Sequence, residues 1–228
     1  MTALLVLVMF AIFLTIDYVR SERKTARKPV REAQPDVFAL PRPVPAMVSG
    51  FEVRDNVRYH PGHTWALQES PTMVRVGIDD FAARLAGKID SVTLPKRGQW
   101  VRQGQKFMTL LRNGDKAELV SPIEGEVTGV NEAALKDGSV VGRDPYGDGW
   151  LITVTSPDAE TNFRNLLGLN MARQWLAEAA SRLRAKMMVP TLAMAGGLAQ
   201  DGGVALANLG AEIPSAAWTE LTHEFFLT

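Results

Sequence analysis

Few side chains in this sequence could do chemistry of their own. Cysteine is absent, which removes disulfides, thiolate nucleophiles, iron–sulfur clusters and Cys-ligated zinc. Of the three histidines, His60, His63 and His223, the first two flank Pro61-Gly62 without a helical i, i+4 arrangement or nearby acidic ligands, so a structural role is expected and no metal site. Gly147 to Gly149 lacks a surrounding GxGxxG pattern or P-loop lysine and reads as a tight turn before a strand at Trp150. No serine lies in a G-x-S-x-G elbow or a recognisable triad context. With no acid/base or nucleophile constellation, a free-standing enzyme is not expected. What remains is a lysine beside a turn. Gly104 to Val127 reads as two strands joined at Asn113-Gly114, since both central residues of a type I′ turn need positive φ. Lys116 then falls opposite Leu111 in the second strand.

The elements that must position this hairpin follow from pattern. Thr64 to Leu67, Met73 to Ile78, Ile89 to Leu94, Phe107 to Leu111, Glu118 to Val120, Gly125 to Val130 and Leu151 to Val154 are short apolar segments punctuated by Gly, Pro and Asn-Gly, which predicts a compact β sandwich or barrel. One small helix interrupts them, with Asp79 as its cap, Phe81, Ala82 and Leu85 on its apolar side and Gly87 as its stop. The segments Gly87 to Val92 and Gly125 to Val130 resemble each other and are each followed by a glycine-bearing turn and another strand, which suggests two related halves. Ser156-Pro157 opens a helix carrying Phe163, Leu166 and Leu167. A second helix from about Met171 to Lys186 aligns Trp175, Ala179, Leu183 and Met187.

Both ends look different from the middle. Thr2 to Ile16 carries no charge, and Arg20, Arg23, Lys24, Arg27, Lys28 and Arg31 follow it; this predicts a short transmembrane anchor with the folded part in the cytoplasm and lipid as a partner. A cleaved signal peptide is disfavoured by the missing basic n-region and small-x-small site. Five prolines between Pro29 and Pro45 suit an extended spacer. After Pro190 an Ala-, Gly- and Met-rich stretch leads to a short helix bearing Trp218, Leu221, Phe225 and Phe226, expected to dock in a hydrophobic groove on another protein. Formal net charge is zero, with 25 acidic and 25 basic residues, and no aromatic residues interleave with the basic run, so nucleic acid is not an expected partner.

The runs Val57-Arg58-Tyr59-His60-Pro61-Gly62-His63-Thr64-Trp65, Val76 to Ala82, Leu94-Pro95 with Gly98, Ser121-Pro122 with Gly125-Glu126-Val127, and Asp144 to Leu151 together resemble the glycine cleavage system H-protein, a lipoyl/biotinyl carrier family. The resemblance covers about Val57 to Leu167 and implies a lipoyl-type barrel-sandwich hybrid. In that family a lysine at the hairpin tip carries lipoate and shuttles an aminomethyl group between partner enzymes. Counted back from Ser121-Pro122 or forward from Gly104, the family's lysine position falls on Gly114, and Leu111 and Arg112 replace the acidic residue that usually precedes the lysine.

The expected architecture is therefore mainly β with flanking helices: an anchor at 1–19, a basic and Pro-rich segment at 20–50, the H-protein-like domain at 51–168, a helix at 169–189 and a tail at 190–228. The expected function is a noncatalytic, membrane-anchored scaffold or accessory subunit without a lipoyl cofactor, touching other protein subunits through the tip residues Arg112, Asn113, Gly114, Asp115 and Lys116. The alternative is a lipoylated carrier of a glycine cleavage-type system with lipoate on Lys116. An export-pump membrane-fusion adaptor is a further alternative, opposed by the absence of a long helical hairpin between the two halves.

Overall fold

The computed structural model describes Met9, Thr15, residues 46–187 and residues 209–227. The chain divides into two units, Met1–Val44 and Pro45–Thr228. Met9 and Thr15 of the first are helical. Apart from Met9 and Thr15, the apolar Thr2 to Ile16 run lies outside the described residues, as do the Pro-rich spacer from Pro29 to Pro45 and the Ala/Gly/Met stretch at 190–208. Among the described residues no helix is long and apolar enough to cross a membrane.

The second unit is built mainly from β strands with flanking helices. Its N-terminal ribbon pairs β1 (Ala46–Val48), just after the Pro-rich spacer, with β2 (Phe51–Val53) at the start of the expected domain. Next come β3 (Arg58–His60), β4 (Thr64–Gln68), β5 (Met73–Ile78), helix α1 (Asp80–Ala86), β6 (Ser91–Thr93), β7 (Trp100–Val101), β8 (Lys106–Arg112), β9 (Asp115–Val120) and β10 (Gly125–Val130). Two short helices follow, α2 (Glu132–Lys136) and α3 (Ser139–Arg143), then β11 (Ile152–Thr155), α4 (Ala159–Arg164) and α5 (Leu169–Met187). The chain resumes in α6 (Leu209–Glu212) and α7 (Ser215–Phe225). A six-stranded sheet in the order β3-β4-β5-β11-β10-β7 faces a three-stranded sheet, β6-β8-β9, across a shared interior. The two similar segments thus supply β6 to one sheet and β10 to the other.

Helix α1 begins and ends where its sequence dictates. The Asp79 carboxylate accepts from the Ala82 amide at 2.8 Å, filling a donor the first turn leaves open. Gly87 closes the helix at φ 70°, its amide donating to Ala83 O. The buried side of the helix, Phe81, Ala82, Leu85 and Ala86, meets Trp65, Ile78, Leu110 and Leu151 in the main core. On α5 the expected stripe is found: Ala179, Leu183 and Met187 are buried with Ala172 and Leu176. Trp175 is half-buried on the same core, its ring 4.4 Å from that of His63.

The C-terminal segment departs from expectation. Trp218, Leu221, Phe225 and Phe226 do not wait for another protein: all four are buried in this chain's own core. Helix α7 packs against both α1 and β9, the Trp218 indole N–H donates to Leu85 O at 2.9 Å, and the Phe225 ring lies 5.1 Å from that of Phe81. Helix α6 approaches the end of α1 so closely that a Cβ on Gly210 would stand 2.5 Å from the Gly87 nitrogen. The physical reason is the one that makes an isolated amphipathic helix marginal in water: its apolar face needs cover, and the domain supplies it.

Candidate functional site

The β8–β9 hairpin is set by its own register. Leu111 pairs with Lys116 and Arg112 with Asp115, which leaves Asn113 and Gly114 as the central turn residues, at φ 50° and 90°. Both values lie in the left-handed region that Asn tolerates and Gly favours. The turn is held from outside as well. Asp90 accepts from the Asn113 amide at 2.6 Å and its own amide donates to Leu111 O at 2.9 Å. At the base, Gly104 N donates to Ser121 O and Ser121 N to Gln105 O, each at 2.8 Å. Alternation then decides what faces water: Ala117 and Leu119 point into the core, while Lys116 is exposed and Glu118 half-buried on the other face.

The five tip residues do not share one environment. Asn113 and Gly114 are exposed, and a Cβ at Gly114 would meet nothing within 4 Å. Arg112, expected at a partner surface, is instead buried under this chain's C-terminal segment. Its Nη2 donates to Ile213 O at 3.0 Å and its guanidinium sits 5.2 Å from the centre of the Trp218 ring, while Nη1 is buried without a hydrogen-bond partner. Burial pushes the guanidinium down from its ordinary value, and the Asp115 and Asp90 carboxylates push it back up. Asp115 bonds the Ser215 hydroxyl at the start of α7. One flank of the tip is therefore tied to the chain's own tail, a link between residues about a hundred positions apart that no local pattern announces.

Lys116 stands beside an open groove of about 520 Å³, lined by Thr109, Leu111 and Lys116 from the sheet and Thr219, Thr222 and His223 from α7. Among the described residues its amine has no hydrogen bond or ion pair, whereas Lys106 on β8 is paired with Glu118 at 2.6 Å. The hairpin offers two places for a lysine-borne group. Gly114 projects into open space but has no amine. Lys116 has an exposed amine, set two residues back on the outer face, and a covalently attached acyl arm fits there with the groove beside it.

The other residues singled out in the sequence fall into structural roles. His63, at φ 60°, bonds the Asp79 carboxylate at 2.8 Å with both side chains almost fully buried, and its ring stacks on Phe81 at 4.1 Å. The same carboxylate caps α1, so the pair locks the β3–β4 turn to that helix. His60 accepts from the Gly62 amide at 3.0 Å, and burial pushes its pKa down. Around Gly147 the Asp144 carboxylate accepts from the Gly147 and Asp148 amides at 3.1 and 3.0 Å, which is a side-chain-stabilised tight turn. Among the described residues no group of three or more His, Asp or Glu could hold a metal ion.

Two sheets closing on one core, with an exposed hairpin turn between β8 and β9, define a lipoyl-type carrier fold. Residues 57–179 match the family described as Glycine cleavage H-protein, and the chain belongs to that family. Among its relatives, the protein named "Probable glycine cleavage system H protein 2" from Saccharolobus solfataricus is 33% identical over 145 residues, covering 61% of this chain and 97% of the relative. One of the same name from Sulfurisphaera tokodaii is 36% identical, covering 47% and 74%. The "Glycine cleavage system H protein" from Gloeobacter violaceus is 36% identical, covering 47% and 83%. A solved structure of a glycine cleavage system H protein from Mycobacterium marinum covers 55% of this chain and 98% of its own at 27% identity, with a TM-score of 0.48. Helices α6 and α7 lie beyond the matched region.

Proposed function

We propose that this protein is the H-protein-type carrier subunit of a glycine cleavage-type system, a noncatalytic protein whose lipoyl arm is carried by Lys116. The observation that carries the reading is the placement of Lys116. It is an exposed amine, unpaired among the described residues, on the hairpin that the family uses for display, with a groove beside it large enough to receive an arm. The relatives, all named as glycine cleavage H proteins, support the same class of partner, namely the enzymes of such a system. A lipoyl group there would supply a dithiolane that moves between enzyme sites. This chain's part is to hold the arm's root on a rigid strand and to keep Asn113 and Gly114 accessible to a ligase. The test is intact-mass spectrometry of the protein from its native host, and of recombinant protein treated with lipoate and a lipoate–protein ligase. One lipoyl adduct, absent in Lys116→Arg, is expected.

A second reading is favoured by Gly114 itself. The family's display position lacks an amine and the tip beside it is tied down by Ser215 and Ile213, which suits an armless accessory subunit that binds the same enzymes as a scaffold. Unmodified mass in both preparations selects this reading over the first. In either case the uncharged Thr2 to Ile16 run followed by six basic residues supports a single-pass tether with the domain in the cytoplasm. Recovery of the full chain in the membrane fraction after alkaline carbonate washing, and its release on deleting residues 2–19, checks that.

A further inference from the structure

A cavity of about 330 Å³ opens between β7, the turn before β10 and the start of α4. Its amide groups are already committed. Gln103 Nε2 donates to Pro122 O at 2.9 Å and to Asn162 O at 3.0 Å, and Asn162 accepts from the Glu124 amide at 3.1 Å while donating to Asp158 O at 2.9 Å. These bonds fix the walls and leave other groups unused. The Ser156 hydroxyl is fully buried and has no hydrogen-bond partner, an arrangement rare in folded proteins unless something else completes it. The carboxylates of Glu124 and Asp158 form no ion pair or side-chain hydrogen bond among the described residues. Arg164, close by in α4, is held by Glu160 at 2.7 Å and does not serve them. Trp100 completes the lining, an indole left 48% exposed.

Two unpaired carboxylates, an open indole and an acceptor-capable hydroxyl share one complement. An anion would be repelled and an apolar group would strand the Ser156 hydroxyl. An ammonium is a point charge that satisfies one carboxylate well. A guanidinium is planar, stacks on an indole face and directs five N–H donors sideways, so it can serve both carboxylates and the hydroxyl while covering Trp100. At about 330 Å³ the cavity has room for a whole arginine side chain. We propose that this pocket receives an arginine side chain presented by a partner protein, and so forms a docking point distinct from the β8–β9 hairpin.

The experiment titrates the full chain with N-acetyl-arginine amide and follows the Trp100 indole N–H by NMR, with N-acetyl-citrulline amide as the neutral match. A saturable shift with a dissociation constant in the low millimolar range is expected for the arginine probe, and none for citrulline. Glu124→Gln with Asp158→Asn should weaken binding at least about tenfold, and Ser156→Ala about threefold, with the dispersion of the spectrum unchanged. Asp158 is exposed and Glu124 half-buried, and Asp158→Asn alone serves as the second variant if the pair disturbs folding. An equal response to citrulline, a non-saturating arginine titration, or a double variant that binds like the parent would each overturn the proposal.

Discussion

Replacing Trp218 by alanine asks whether the C-terminal helix is part of the fold or an appendage. The side chain is completely buried, and a buried Trp→Ala change costs about 3–5 kcal/mol through lost burial and the cavity left behind. Two further losses follow from the geometry. Leu85 O loses the indole N–H that reaches it at 2.9 Å, which costs about 1 kcal/mol, and the Arg112 guanidinium loses the ring 5.2 Å away, a contact of roughly 0.5–2 kcal/mol. The three overlap, so the whole is about 5 kcal/mol, a large share of the 5–15 kcal/mol of a typical domain. At about 2–4 °C per kcal/mol for a unit of this size, the melting temperature should fall by roughly 10–20 °C. Trp218→Phe keeps a six-membered ring on the core and loses the pyrrole half of the indole with its N–H, so its fall should be well short of the alanine variant's. Thermal unfolding followed by circular dichroism, with a variant ending at residue 208 as reference, measures both. If Trp218→Ala and the truncated chain melt within about 2 °C of the parent, the tail is not integral and the reasoning fails.

Gly114→Lys restores an amine to the projecting position. With open space around the Cβ, its cost is the left-handed backbone alone, about 1–2 kcal/mol, and lipoate–protein ligase should add a lipoyl group to it, read by intact mass in a Lys116→Arg background. Asp79→Ala removes the α1 cap and the buried partner of His63 together; a loss of about 3 kcal/mol is expected in urea unfolding, against less than about 0.5 kcal/mol for exposed Asp148→Ala. Burial raises the Tyr59 phenol to about 12, so the folded state holds its proton where the unfolded chain, near 10, releases it. Stability from this group is complete below about pH 10 and falls as pH rises toward 12, by about 2–3 kcal/mol in all; Tyr59→Phe should flatten that slope in alkaline unfolding curves.

What the sequence makes legible here is whatever depends on neighbours in the chain. Met73–Ile78 and Gly125–Val130 appear with their expected bounds, because alternation over six residues carries its own period. Helix α1 and the Asn113-Gly114 turn are equally local, each fixed by a cap or by positive φ. Strands β1, β2 and β7 escaped because two or three residues have no period to read. Arg112 escaped for a different reason. A charged residue beside a turn reads as solvated, yet its surroundings are made by Ile213, Ser215 and Trp218, and the complementarity exists only once β9 and α7 are side by side. The apolar stripe of α7 announces that a cover is needed without naming it, and the domain's own α1 and β9 provide it at the lowest entropic cost, since the helix is already tethered to them. The consequence reaches function. With α7 seated, Arg112 and Asp115 are withdrawn from the tip, and the accessible chemistry of the hairpin narrows to Asn113, Gly114 and the amine of Lys116.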